Sequence, residues 1–246
     1  MSNNHSHNVP SASFDPVGEQ TLQIISNAQK FNQWMFERIE PFLKGNVLEI
    51  GSGIGNITAF VLAKGLTVTA SDYNTSYQEQ LKENLKEFSN LEAVLSLDLQ
   101  STNLAQEYPD LEGKFDSIFL LNVIEHLKDE NLAIENCRYL LRKGGNLIVL
   151  APSYQFLYCQ FDKELGHYRR YTKKRMAQIF PVSEFSIKHQ EYFNLAGTAG
   201  WFIFGKLLQR KQIGSEMNLY EKLVPVFKWV DRLSFRAAGL STITIA

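Results

Sequence analysis

Apolar positions along this chain change their period several times, and each change marks a predicted element. Leu22, Ile25, Phe31, Met35, Phe36, Ile39 and Phe42 recur at the spacing of a helix face, with Pro41 and Gly45 closing the segment. One or two helices therefore precede a short apolar run at 46–50 (NVLEI), a glycine cluster and a helix over 56–64. The alternation then repeats. Strands over 67–71, 92–97, 116–121 and 146–150 are interleaved with helices over 75–88 and 127–141, the latter stopped by Gly144 and Gly145. The stretch around Pro109 is weakly patterned. Five strands separated by helices predict a three-layer αβα arrangement. Its sheet is mostly parallel, and ligands lie beyond the carboxyl ends of the strands.

Beyond residue 160 the pattern loosens into a helix over 172–180, a strand-like stretch over 185–193, an aromatic-rich insert and a final alternating run at 241–245 (STITI). The uncharged stretch 192–205 has 14 residues, too few for an ordinary membrane span. The chain divides into a disordered tail (1–18), a helical cap (19–45), a core (46–194), a helical, aromatic and basic insert (195–240) and a last strand (241–246).

Composition narrows the class without naming it. Of 246 residues 44% are hydrophobic and both charge signs are plentiful, which excludes disordered and disulfide-stapled chains. Cys137 and Cys159 are far apart and form no metal-ligand spacing, so no metal is expected and a cytoplasmic location fits. Residues 1–15 lack the basic and apolar segments of a signal peptide, and His5 and His7 read as solvated. Charge is lopsided: 11 Lys/Arg against 19 Asp/Glu up to residue 161, then 14 against 7. A basic C-terminal third suits an anionic substrate or membrane surface, although solvated helix faces produce the same count. Dispersed basic residues with no nucleic-acid module disfavour nucleic acid as a partner.

The sharpest motif is VLEIGSGIGNIT, in which Gly51, Gly53 and Gly55 follow Glu49 at the end of the first strand. Glycines there permit a tight turn and bring backbone N–H groups against a ligand at a helix N-terminus. The spacing is not the G-x-G-x-x-G of a dinucleotide loop. Polar residues also end the later strands: Asp72 after TVTAS, Asp98 after EAVLSL and Asn122 after DSIFLL.

With these in order, the chain resembles the class I S-adenosylmethionine-dependent methyltransferases. The resemblance covers about 20–195 and resides in VLEIGSGIG, TASDYN, LDLQ, FDSIFLLNVIEHL and LLRKGGNLIVLAP. It implies a Rossmann-like sheet of seven strands whose last, STITI, runs antiparallel, and S-adenosylmethionine as cofactor. Carried over to matching positions, Glu49 orders the methionine end, Gly51, Ser52 and Gly53 form the loop against the cofactor, with Gly55 completing the turn, and Asp72 binds the ribose. Tyr73 packs on adenine, Asp98 accepts from the adenine amino group, the Leu99 backbone meets the ring and Asn122 approaches the methionine portion.

On the acceptor side, His126 in NVIEHL points toward the site if the likeness holds, as a base or as a structural residue. The run GHYRRYTKKRM offers His167 as base, Tyr168 and Tyr171 as pocket walls, and Arg169 with Arg170 for a phosphate or carboxylate. Lys173, Lys174 and Arg175 are expected to face water. AQKFNQWMFERIEPFLKG, the same GHYRRYTKKRM run and YFNLAGTAGWFIFGKLL together resemble a bacterial subgroup associated with glycosyltransferases acting on polyprenyl-phosphate sugars. That likeness implies a glycan or lipid-linked glycan acceptor, a glycosyltransferase partner and Trp201 at the acceptor. Trp201, Phe202, Phe204, Leu207 and Leu208, with Lys206, Arg210 and Lys211, suit either an amphipathic helix on the inner membrane face or a packed lid.

Two rival readings remain. A nicotinamide-dependent oxidoreductase would share the glycine turn and the acid after the second strand, and Tyr139 with Lys143 forms a Tyr-x-x-x-Lys. That pair precedes the fifth strand, so Tyr139 reads as core and Lys143 as a charge near a helix end. A non-catalytic methyltransferase-like subunit is the other.

Overall fold

A computed structural model describes residues 16–210 and 216–246 of the chain. Helices α1 (Pro16–Ser26) and α2 (Gln29–Ile39) lead into strand β1 (Asn46–Ile50), followed by α3 (Thr58–Ala63), β2 (Thr67–Ser71), α4 (Thr75–Leu85) and β3 (Leu91–Leu95). Short α5 (Leu104–Glu107) precedes β4 (Phe115–Leu121), α6 (Glu130–Leu140) and β5 (Leu141–Pro152). Then come α7 (Gln160–Glu164), α8 (Lys173–Gln178), β6 (His189–Phe193), α9 (Leu195–Gly200), a π-helical segment (Trp201–Leu207), α10 (Glu216–Leu233) and β7 (Ser241–Ile245).

The strands form one seven-stranded sheet in the order β3-β2-β1-β4-β5-β7-β6. Neighbours from β3 to β5 pair in parallel, whereas β7 is antiparallel to both β5 and β6. This is the mostly parallel Rossmann-like sheet expected, with STITI as its antiparallel member. Side chains alternate between two cores because successive strand residues point to opposite faces. Leu48, Ile118, Leu120, Leu147 and Val149 face α6 and α8, while Val47, Phe119, Ile148 and Leu150 face α2, α3 and Val224 of α10. The strand order reverses between β1 and β4, so the carboxyl ends of those strands flank the crevice where ligands bind.

Several local expectations are corrected. The first helix begins at Pro16, inside the stretch read as tail; the rest of that tail, with His5 and His7, lies outside the described residues. Gly144 and Gly145 do not stop α6, which ends at Leu140. They lie within β5, where an irregular register opposite Phe115–Ser117 takes up the extra residues. The helix expected from 127 starts at Glu130 because the Asp129 side chain accepts from Asn131 and Leu132 N–H, a capping arrangement that fixes the first turn. Thr172 likewise caps α8, and β6 is confined to five residues. Tyr139 packs against the core as expected. Among the described residues no helix is long and apolar enough to cross a membrane.

Candidate active site

The loop after β1 is shaped by glycine. Gly51, Gly53 and Gly55 have φ of +70°, +55° and +92°, in the left-handed region that side-chain-bearing residues avoid. A Cβ on Gly51 would lie 2.4 Å from Cγ2 of Val123, so the loop can pass the turn after β4 only without one. Ser52 N–H donates to the Ser71 carbonyl at 2.9 Å and Gly53 N–H to Oδ2 of Asp72 at 2.8 Å. Oδ1 of Asp72 accepts from Asn74 N–H at 2.9 Å. Asp72 thus ties the glycine loop to the end of β2, and its oxygens keep lone pairs for further donors. Burial raises its pKa despite these hydrogen bonds.

Glu49 lies on β1, two residues before Gly51. It is buried, and Oε2 accepts from the Thr58 hydroxyl at the start of α3. Desolvation pushes its pKa up to about 8, against hydrogen bonds from Thr58 and Ser52 that lower it. In this structure Glu49 is a positioning residue for loop and helix. Asp98 accepts from Gln100 N–H at 2.8 Å, Leu99 is buried with its carbonyl bound by Asn136, and Tyr73 stands exposed on the lip. Asn122, at φ +55°, ends β4 and remains exposed.

The acceptor side is assembled from sequence-distant pieces. A single 3-10 turn, Ile124–His126, follows β4, and Tyr168 N–H donates to the Glu125 carbonyl at 2.8 Å. This backbone bond brings GHYRRYT against the turn. His126 and His167 meet edge to face, ring centres 4.6 Å apart. His126 keeps an exposed part, while burial and the neighbouring His167 push its pKa down to about 4. His167 is buried and its Nδ1 lies 2.9 Å from Oδ1 of Asp162, leaving Nε2 for other partners.

Asp162 is the hub of this side. It is wholly buried, and besides His167 it accepts from Arg170 Nε at 2.8 Å and Cys159 N–H at 2.9 Å. Desolvation alone would raise its pKa, but the bonds from His167 and Arg170 and the Arg170 charge hold it below the ordinary range. Glu125, also wholly buried, is the opposite case: neither carboxylate oxygen has a hydrogen-bond partner. Burial drives its pKa up to about 8.

Several expected substrate contacts are corrected. Tyr171 is fully buried, donates to Glu130 at 2.8 Å and belongs to the core, and its backbone bridges to Ser153 just beyond β5. Arg170 is 4% exposed; its Nη1 donates to the Ser153 carbonyl and its guanidinium lies 4.5 Å from the Trp201 ring centre. It holds the protein together rather than offering a fork to substrate. Arg169 is paired with Glu130 at 2.9 Å and with the Lys128 carbonyl. Arg175 faces water as expected and also reaches Glu130. Tyr168 is exposed beside the site, and Trp201 is half-buried against Phe161. Glu125, Asp162 and Glu130 carried no individual signal in the sequence. The one hint was the packing of His167, Arg169 and Arg170 into four residues, which demands buried counter-charge.

Comparisons with known proteins agree with this geometry. Residues 48–147 match the family model described as a methyltransferase domain. The chain is 24% identical over 139 residues to methyltransferase GfsG of Streptomyces halstedii, covering 56% of this chain and 46% of that one. It is 34% identical over 121 residues to the highly reducing polyketide synthase gloL of Glarea lozoyensis, 45% of this chain but 5% of that protein. The chain thus spans less than half the length of these relatives. A solved structure of Haemonchus contortus phosphoethanolamine N-methyltransferase 2, in complex with phosphomonomethylethanolamine and S-adenosylhomocysteine, aligns with TM-score 0.58 at 18% identity. The alignment covers 95% of this chain and 59% of that one. These matches do not favour the oxidoreductase reading. Residues 48–147 thus match a methyltransferase domain, and the chain has the Rossmann-like fold of solved S-adenosylmethionine-dependent methyltransferases.

Proposed function

We propose that this protein transfers a methyl group from S-adenosylmethionine to a small-molecule or lipid-linked acceptor, with a glycan on a lipid carrier as the favoured class. The observation that carries the reading is the grip of Asp72 on the Gly53 N–H beneath a loop that Gly51 lets pass against Val123. The cradle that glycine leaves open, and the acid beside it, fit a nucleoside bearing a cationic tail. Bound there, S-adenosylmethionine would supply a methyl group on a positively charged sulfur, already a good leaving group. What is asked of the chain is positioning and exclusion of water. Val123 joins the cofactor loop to the turn bearing Glu125 and His126, so the acceptor's reacting atom belongs beside that turn, near the packed rings of His126 and His167.

Support for a lipid-linked acceptor comes from the insert. Trp201 rests on Arg170, which binds Asp162 beside His167, and the same π-helical segment exposes Phe202, Ile203 and Leu207. Leu219, Val226, Trp229 and Leu233 of α10 are exposed as well, with Lys222 and Arg232 on the same helix. An apolar surface with basic neighbours next to the acceptor end suits a lipid chain at an anionic bilayer surface. A glycosyltransferase using the same carrier is the partner this reading favours.

The test is incubation of the protein with methyl-labelled S-adenosylmethionine and either bacterial lipid extract or water-soluble extract. Label in a lipid-linked glycan, abolished by Asp72→Ala, is expected. Label confined to water-soluble products would overturn the lipid assignment. Label in neither, with cofactor binding intact, would replace transfer with a non-catalytic binding role.

A further inference from the structure

We infer that Glu125, His126 and His167 form a binding site for one divalent transition-metal ion at the acceptor end of the crevice. One candidate ligand atom from each of the three lies within 4.8 Å of the others, a spacing that a single ion can bridge. The inference stands on this cluster and does not depend on the methyl-transfer reading.

Three independent features point to a cation. First, both oxygens of the buried Glu125 carboxylate lack any hydrogen-bond partner. A buried polar group is almost always satisfied, and an orphaned carboxylate facing two imidazoles is satisfied by a metal. Second, His167 is oriented by the Asp162 carboxylate on Nδ1, which leaves Nε2 as its free nitrogen. Metal-bound histidines characteristically have their second nitrogen held in this manner, and Asp162 is itself fixed by Arg170 and by Cys159 N–H. Third, His126 keeps an exposed part, so an ion can reach the cluster from solvent.

Two imidazole nitrogens and one carboxylate oxygen form a donor set for borderline ions such as Zn2+, Co2+, Mn2+ or Fe2+, rather than for Ca2+ or Mg2+. Three protein ligands leave coordination positions open. His126 and His167 each looked like a base in the sequence; brought together with Glu125, they make a ligand triad with Asp162 as its positioning residue.

The test uses the full chain stripped with a chelator and titrated with Co2+, followed by its visible absorption bands, and with Zn2+ by calorimetry. One equivalent of Co2+ with ligand-field bands is expected. Affinity should fall at least tenfold in Glu125→Gln and in His126→Ala, and roughly tenfold in Asp162→Asn through loss of ligand orientation. Circular dichroism identifies any variant that fails to fold, and His126→Ala, at a partly exposed position, keeps the test decisive if a buried variant does fail. No saturable Co2+ or Zn2+ binding by the parent, or affinity unchanged in Glu125→Gln and His126→Ala, would overturn the site. S-Adenosylhomocysteine titrated into the metal-free protein separates the two proposals. Cofactor binding without metal binding removes the metal site alone; metal binding without cofactor binding removes the methyl-transfer reading alone.

Discussion

The two ends of the crevice are built by different means. At the cofactor end the working groups are backbone N–H donors, glycine torsions and one carboxylate, supplied by residues 49–74 and held by contacts such as Gly53 N–H to Asp72. At the acceptor end they are side chains from 125–126, 162–171 and 201, joined through the buried carboxylate of Asp162. The first is a local device and tolerates change elsewhere. The second exists only when distant segments are packed together, so each of its members carries structural as well as chemical work.

The largest effect should come from cutting the acceptor-side hub. Arg170→Ala leaves Asp162 buried without its cation, and breaking such a pair costs about 3–5 kcal/mol. Urea denaturation of parent and variant should show this loss; a cost below about 1 kcal/mol would mean that the acceptor end is no more interdependent than the cofactor end. Next in size is Asp72→Ala. It removes a charged acceptor, which is worth about 10–100-fold in S-adenosylhomocysteine affinity, measured calorimetrically. Affinity equal to the parent's would separate Asp72 from the ribose. Tyr171→Phe deletes a buried hydroxyl bound to Glu130 and should cost about 1–2 kcal/mol, while Tyr168→Phe at the exposed neighbour should stay within about 0.5 kcal/mol. Equal costs at the two tyrosines would erase the distinction between core and rim.

A last effect, at the cofactor end, is read as a change of slope with pH. Burial holds the Glu49 carboxyl at about 8, so the folded chain keeps a proton that the unfolded chain releases near 4.5. The folded state then binds more protons across that window, and this group's contribution to stability falls as pH rises from about 4.5 to about 8. Glu49→Gln has nothing to titrate, so its Tm relative to the parent should climb across that window and level off above it. A Tm difference constant with pH would mean that Glu49 is ionised in the folded protein throughout.

This contrast also explains what was legible in the sequence. VLEIGSGIG and TASD reveal themselves because their chemistry lies in consecutive residues and their strand period is strong, so the sheet and the cofactor loop were readable. STITI was readable as the antiparallel strand through the resemblance. Glu125 lay in plain view inside NVIEHL, yet nothing in the chain announces that its carboxylate is orphaned, since that follows from tertiary burial. Asp162 was invisible for the same reason. Tyr171 and Arg170 read as pocket residues because hydroxyl and guanidinium chemistry look alike whether they face a ligand or a buried partner. Gly144 and Gly145 read as a helix stop because glycine serves strand irregularities equally well.

The central claim is that the glycine loop and Asp72 hold S-adenosylmethionine, and parallel calorimetric titration of the protein with S-adenosylmethionine, S-adenosylhomocysteine and NADH tests it most directly. Saturable binding of the first two, weakened in Asp72→Ala, with none for NADH, is predicted; binding of NADH alone, or of none of the three, would contradict it.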